Sequence, residues 1–338
     1  MNIDFIEATI FTGKDTPFFG NLKKIASYES GNVKYILNGC EKIEVIFNEE
    51  SGKLVLRGSI MYFMQGHNFT YSKKLFVEGV NYVGKLLHLN LWNMMINIFE
   101  NGVVVKVKKN PKDYIQHHRE GKGMQLYETP KDAGNFRSFN DKYVERKFYN
   151  AGRNIMHKQG VTMKQVIEGA GWNPDAHYIK WEMHYLKPEC LLNDGKGLHL
   201  SDLVNPDWEK KFDADLYNQY CKIKPMKTII SPTDKADLHT LDFFAIELVE
   251  TKMNEGKTLE EVRKILYDRI NSSSVLSKAD KDARKRQVKA TLEKFQQSEI
   301  SEWDLKEELR QAIFGDECTS IDEQPAIIQE PALLSNPL

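Results

Sequence analysis

The chain is poor in the features that most quickly reveal a function. Four cysteines in 338 residues (Cys40, Cys190, Cys221 and Cys318) contain no Cys-x-x-Cys pair. That spacing argues against a zinc site and points to a reducing, cytoplasmic compartment. No run approaches 18 apolar residues, so no membrane span is expected. The first residues, Met-Asn-Ile-Asp-Phe-Ile-Glu, carry acids where a secretory leader carries bases. The phosphate-binding loop, the dinucleotide Gly-x-Gly-x-x-Gly and the Gly-x-Ser-x-Gly elbow are all missing. Positive charge is not in excess: the net charge is −1, so any nucleic-acid surface must be local and balanced elsewhere.

What remains is a hydrophobic fraction of 41% with 28% charged residues, enough to pack a core in one large domain or two ordinary ones. Residues 1–70 read as β, with Val33–Leu37, Lys42–Phe47 and Leu54–Met64 as strands and Asn38-Gly39 as a turn. Residues 71–90 have helical spacing. The β-branched segment 92–108 reads as two strands about Asn101-Gly102, or as one long strand with a bulge. A helix is expected from Pro111 to Arg119, and Gln125–Glu128 is expected to pair with Asn135–Phe139. Residues 161–170 form a further helix. Over Leu198–Lys222 the stripe Trp208, Phe212, Leu216 and Tyr220 marks another.

Beyond about 225 the composition shifts. Pro225 and Ser231-Pro232 suggest a linker, and helices are expected over 236–254, 259–271, 278–297 and 302–313. Thr258-Leu-Glu-Glu261 is a capping box, and Ser277 with Asp280 suits a helix start. The reading is therefore an α+β domain over 1–225, a helical domain over 236–313 and a disordered tail over 316–338, with no visible internal repeat.

Among chemically capable residues, the strand Tyr178–Lys187 is the most informative. Alternation puts Lys180, Glu182 and His184 on one face and Ile179, Trp181, Met183 and Tyr185 on the other. Glu182 and His184 can then reach one ion, or simply face solvent. His117 and His118 diverge by about 100° on a helix and read as surface residues. Lys278, Lys281, Arg284, Lys285, Arg286 and Lys289 make a basic helix that can track phosphates or serve as a solvated face.

Three short segments in order carry a resemblance: Met64-Gln-Gly-His-Asn-Phe69, Phe139-Asn-Asp-Lys-Tyr-Val-Glu145 and Tyr178-Ile-Lys-Trp-Glu-Met-His184. Together they resemble the Leu-Gln-Gly-His-Asn, Tyr-x-Lys-x-x-Glu and Leu-(Leu/Val)-Arg-(aromatic)-Glu-x-Arg segments of the filamentous-phage gene II replication initiators and related plasmid Rep proteins. The resemblance covers roughly residues 45–225.

It implies an HUH-nuclease-like antiparallel sheet flanked by helices. It also implies rolling-circle replication of a phage or plasmid, in which a tyrosine nicks one origin strand and later rejoins it. Mg²⁺ or Mn²⁺ would assist, and origin or single-stranded DNA and host replication proteins would be partners.

This chain departs from the pattern. Asn140 stands at the tyrosine position. Tyr143, one helical turn on, and Tyr149, in Phe148-Tyr-Asn-Ala-Gly-Arg153, are the candidate nucleophiles, with Lys142 and Glu145 beside them. Glu182 would hold the metal with His184, Glu100 or His67; Glu100 lies one residue from the expected aspartate position and Lys180 replaces an arginine. The alternative is a relative that has lost catalysis and acts as a DNA-binding regulator or accessory protein of a mobile element.

Overall fold

A computed structural model describes residues 2–13, 19–37, 40–129, 134–158, 161–191, 197–226, 240–293 and 303–315. The Asn38-Gly39 turn, the Ser231-Pro232 linker and the 316–338 tail lie outside these. Four alternating segments and their partner build the first half of the sheet: β1 (Ile3–Phe11), β2 (Leu22–Ser27), β3 (Asn32–Leu37), β4 (Cys40–Asn48) and β5 (Lys53–Gly58). The strand expected over Leu54–Met64 stops at Gly58, because Ser59 Oγ accepts the Tyr62 N–H and starts α1 (Ile60–Gln65). Gly66 closes that helix at φ 76°, a left-handed cap that suits glycine. Ser72 caps α2 (Lys73–Leu87) in the same way.

Of the two readings of 92–108, the long strand holds: β6 (Met95–Val107) runs 13 residues through Asn101-Gly102, with a register shift against β1 between Glu7 and Ala8. The hairpin dipeptide is overridden by long-range pairing. Asn101 is fully buried; its side-chain oxygen accepts the Asn2 N–H and its amide donates to the Phe212 carbonyl. After β6 come α3 (Pro111–His117), β7 (His118–Gly121), β8 (Gln125–Tyr127), β9 (Phe136–Asn140), β10 (Val144–Asn150), α4 (Ala151–Lys158), α5 (Val161–Gly169) and β11 (His177–Tyr185). Helix α6 (Pro206–Cys221), capped by Asn205 with proline at its first position, leads into β12 (Ile223–Pro225), which pairs with β7.

Ten strands form one antiparallel sheet in the order β2-β3-β4-β5-β1-β6-β11-β10-β9-β8. It has two five-strand halves meeting at β1 and β6. Each half sets its first strand at the centre, next to its last, with the others running outward. The α+β class expected from the sequence is what the fold shows.

One face of the sheet carries the main core. Phe99 stacks on Tyr185 at 4.6 Å and meets Phe212 edge-on at 5.0 Å, while the Trp181 indole donates to the Leu216 carbonyl. The α6 stripe supplies Phe212, Leu216 and Tyr220. His118, expected on the surface, is buried here between the Tyr114 carbonyl (2.7 Å) and the Tyr220 hydroxyl (2.9 Å); His117 stacks on Trp303.

The C-terminal helices divide. α7 (Thr240–Asn254), α8 (Leu259–Asn271) and α9 (Lys278–Glu293) share a small core of Val249, Met253, Val262 and Leu292. α10 (Lys306–Phe314) instead packs on β6 and α6, and places Leu309, with Trp303 and Leu305 just before it, in the main core. No described helix is long and apolar enough to cross a membrane.

Candidate functional site

The opposite face of the sheet carries charge. On β11, Lys180, Glu182 and His184 point away from the core, as the alternation required. On β10 the same parity selects Glu145, Lys147 and Tyr149. Register brings these rows together: Glu145 faces His184, Lys147 faces Glu182 and Tyr149 faces Lys180. On β6, Glu100 lies opposite His184, and Gly102 lies opposite Glu182. Gly102 matters because a Cβ there would come within 3.1 Å of Lys180 Cε and of Glu182 Cβ. The bare backbone lets the Lys180 side chain cross β6 to Asp4 on β1. A bulge between Ile3 and Phe5 turns Asp4 and Phe5 to this side together.

The resulting cluster is a chain of paired charges. Lys180 forms a close ion pair with Asp4 and stands 3.4 Å from Glu182 Oε2. Lys147 Nζ lies 2.5 Å from Glu100 Oε1 and 3.4 Å from Glu182 Oε1. His184 Nδ1 donates to the same Glu100 oxygen at 2.5 Å. Tyr149 Oη donates to Glu182 Oε2 at 3.1 Å. Asp4, Lys180 and Glu182 are each no more than 4% exposed.

The electrostatics follow from burial and pairing. Burial raises the Tyr149 hydroxyl well above its ordinary range, and the Glu182 and Glu100 carboxylates push it further. Burial also works against the Glu182 carboxylate, but Lys180 and then Lys147 outweigh it and hold its pKa below the usual value. Burial lowers Lys180 despite Glu182. Lys147 is raised: Glu182 and Glu100 overcome its desolvation.

A pocket of about 230 Å³ opens onto Tyr149, Lys180, Glu182 and Glu100. One wall is His67–Phe69, held in a turn where the Gln65 amide donates to the His67 and Thr70 carbonyls and Phe69 N–H donates to His67 Nδ1. Burial lowers the pKa of His67. Phe69 packs edge-on against Tyr178 at 5.3 Å, joining a satellite core formed by Ile155, Ile167 and Trp172. A second cavity of about 490 Å³ shares Tyr62, Asn68 and Glu100 and runs across β1 and β3–β5, past Lys34, Lys42 and Arg57.

Not all the expected residues arrive here. The hexamer Asn140–Glu145, read as helical in placing Tyr143 one turn on from Asn140, is a β-hairpin turn. Asp141 Oδ1 accepts the N–H groups of Tyr143 and Val144, and its Oδ2 pairs with Arg146 at 2.6 Å. Tyr143 is solvent-exposed, with the Lys142 ammonium 5.2 Å from its ring centre. Tyr149 lies six positions further along the chain, roughly 20 Å away in extended backbone. The premise that Tyr143 sits one helical turn from Asn140 therefore fails, and Lys142 stays in the turn with it. Glu145 lies on the charged face beside His184.

Glu100, Glu182 and His184 do converge, and His67 stands in the pocket wall. Yet among the described residues no three His, Cys, Asp or Glu side chains form a metal-binding group. Both carboxylates are turned to ammonium groups, and Lys147 lies between them. This donor set does not fit Mg²⁺, which needs carboxylate oxygens at about 2.1 Å.

On α9, Lys278, Arg284, Arg286 and Lys289 are exposed; Lys281 donates to the Asn271 carbonyl, and Lys285 is half-buried.

The residues missed from sequence are Asp4 and Lys147. Lys147 was legible: reading β10 as a strand puts Glu145, Lys147 and Tyr149 on one face. Asp4, on a bulge 176 residues from Lys180, left no signal. No protein-family model, no curated protein and no solved structure matches the chain.

Proposed function

We propose that the protein is a DNA-nicking and rejoining protein of the rolling-circle replication type, with Tyr149 as its nucleophile. The observation that carries this reading is the Tyr149 Oη to Glu182 Oε2 hydrogen bond of 3.1 Å, beside two ammonium groups in an open pocket. The resemblance of the Met64–Phe69 and Tyr178–His184 segments to phage and plasmid initiators supports it, since both border that pocket.

In this mechanism Tyr149 Oη attacks a backbone phosphorus and its proton passes to Glu182. The Oη–P bond forms, the P–O3′ bond breaks, and the departing 3′ oxygen takes up a proton. Tyrosine is a poor nucleophile while protonated, so the adjacent carboxylate supplies the base. Lys147 and Lys180 neutralise charge that develops on the non-bridging oxygens. The reverse attack by a 3′ hydroxyl rejoins the strand.

A second reading is a DNA-binding relative that does not nick. It draws support from the low exposure of Glu182 and from the engagement of both of its oxygens. The test is to incubate the full chain with a labelled pool of random-sequence single strands, in Mg²⁺ and separately in EDTA, and to resolve the products on a denaturing gel. A covalent adduct that Tyr149→Phe abolishes and Tyr143→Phe leaves intact is the expected result. Binding without an adduct selects the second reading, and no binding refutes both.

A further inference from the structure

We propose that the Lys147 ammonium is the built-in cation of the Glu100–Glu182 carboxylate pair, holding the place a divalent ion would otherwise take. Its role towards DNA phosphate rests on the nicking reading above; the assignment of the cation does not.

The argument is one of occupancy. Lys147 projects from the middle of β10 onto the charged face, directly opposite Glu182. Its nitrogen sits 2.5 Å from Glu100 and 3.4 Å from Glu182, two carboxylates carried by different strands. A divalent ion bridging those oxygens would need the same volume and the same lone pairs. Three of the four carboxylate oxygens are engaged, Glu182 Oε1 by Lys147 alone. Glu182 Oε2 accepts from Tyr149 and faces Lys180, and Glu100 Oε1 also accepts from His184.

The charges point the same way. Asp4, Glu100, Glu145 and Glu182 bring four negative charges to this face, and Lys147 and Lys180 bring two positive. Removing Lys147 leaves two buried or half-buried carboxylates and one imidazole with no cation between them, and only Lys180, 3.4 Å from Glu182, at the edge of the gap. That is the composition of a metal site. Lys147 keeps 19% of its side chain exposed, so an ion can reach the vacated volume from solvent.

Mn²⁺ reports on this directly, because the electron paramagnetic resonance signal of the free ion is lost when it binds. Wild-type protein is expected to leave the signal unchanged. Lys147→Ala is expected to take up one Mn²⁺ per chain, with affinity at least about a hundredfold above wild type, since a unit positive charge beside the ion is gone. Lys147→Ala combined with Glu182→Gln is expected to lose that uptake.

The proposal is overturned if wild type binds one Mn²⁺ per chain and Glu182→Gln abolishes it, or if folded Lys147→Ala gains none. Should Lys147→Ala fail to fold by circular dichroism, Lys147→Gln, which keeps part of the packed stem, is read the same way, and the wild-type measurement still decides. A chain that forms no DNA adduct in any buffer yet shows this Mn²⁺ pattern refutes nicking and leaves the cation assignment standing.

Discussion

Replacing Lys180 by methionine should unbalance the charged face more than any other single change. The substitution nearly preserves side-chain volume, so packing across Gly102 is kept and the effect isolates charge. Lys180 is 3% exposed and serves two carboxylates, Asp4 and Glu182, each 4% exposed. At an effective dielectric of about 20, a unit charge 3.4 Å from Glu182 is worth about 5 kcal/mol. Lys147 still neutralises Glu182 from the other side, and Asp4 can take up a proton. The net loss should therefore be about 3–5 kcal/mol, the range for breaking a buried pair from one side.

Urea unfolding at neutral pH, followed by circular dichroism, measures it. The deficit should shrink on acidification, because a buried carboxylate stripped of its cation is stabilised by proton uptake at low pH. Adding Asp4→Leu should recover most of the loss, since replacing both partners by apolar groups leaves no orphaned charge. A cost below about 1 kcal/mol for Lys180→Met, or no recovery in the double variant, would refute the idea that Lys180 is the keystone of this cluster.

Other consequences follow from the same geometry. His118 is buried and neutral, with its pKa driven by burial from 6.5 down to about 4. The unfolded chain therefore binds the extra proton first, and stability should fall by about 3 kcal/mol as pH drops from about 6.5 to about 4; His118→Gln should flatten that part of the stability–pH curve. Gly102→Ala should cost about 1–3 kcal/mol by overpacking, and by displacing Lys180 it should also weaken any DNA adduct formation. Asp141→Ala should cost about 1–3 kcal/mol in urea unfolding, because it strips the hairpin turn of its cap and leaves the 3%-exposed Arg146 without its carboxylate; it should leave any Tyr149 adduct intact.

Much of the site was legible because strands have a period of two. Once Tyr178–Tyr185 was read as a strand, the Lys180, Glu182 and His184 row and its apolar reverse face followed from alternation. The segment before it misled for a local reason. Asn140–Glu145 has the charges of a helix start, but Asp141 satisfies the next backbone N–H groups through its own side chain, and the chain turns back instead. Of the two candidate tyrosines, that turn leaves Tyr143 exposed and only Tyr149 on the charged face. Asn101-Gly102 left a hairpin and one long strand both open, and the long strand holds because Asn2 and Phe212 satisfy Asn101 within it.

By itself the sequence determined the α+β class, the two faces of the critical strand with Glu182 on the polar one, and the α6 stripe. These are properties of residue type and short-range period. Only the tertiary structure decided the rest. It joined two five-strand halves of like order at β1 and β6, although no repeat is visible in the residues. It used a bulge at Asp4 and a missing side chain at Gly102 to let Lys180 cross a strand. It also set Lys147 between two carboxylates that come from strands far apart in the chain. The physical reason is that register, bulges and charge pairing across a sheet are fixed by partners distant in sequence, and no local pattern encodes which partner will arrive.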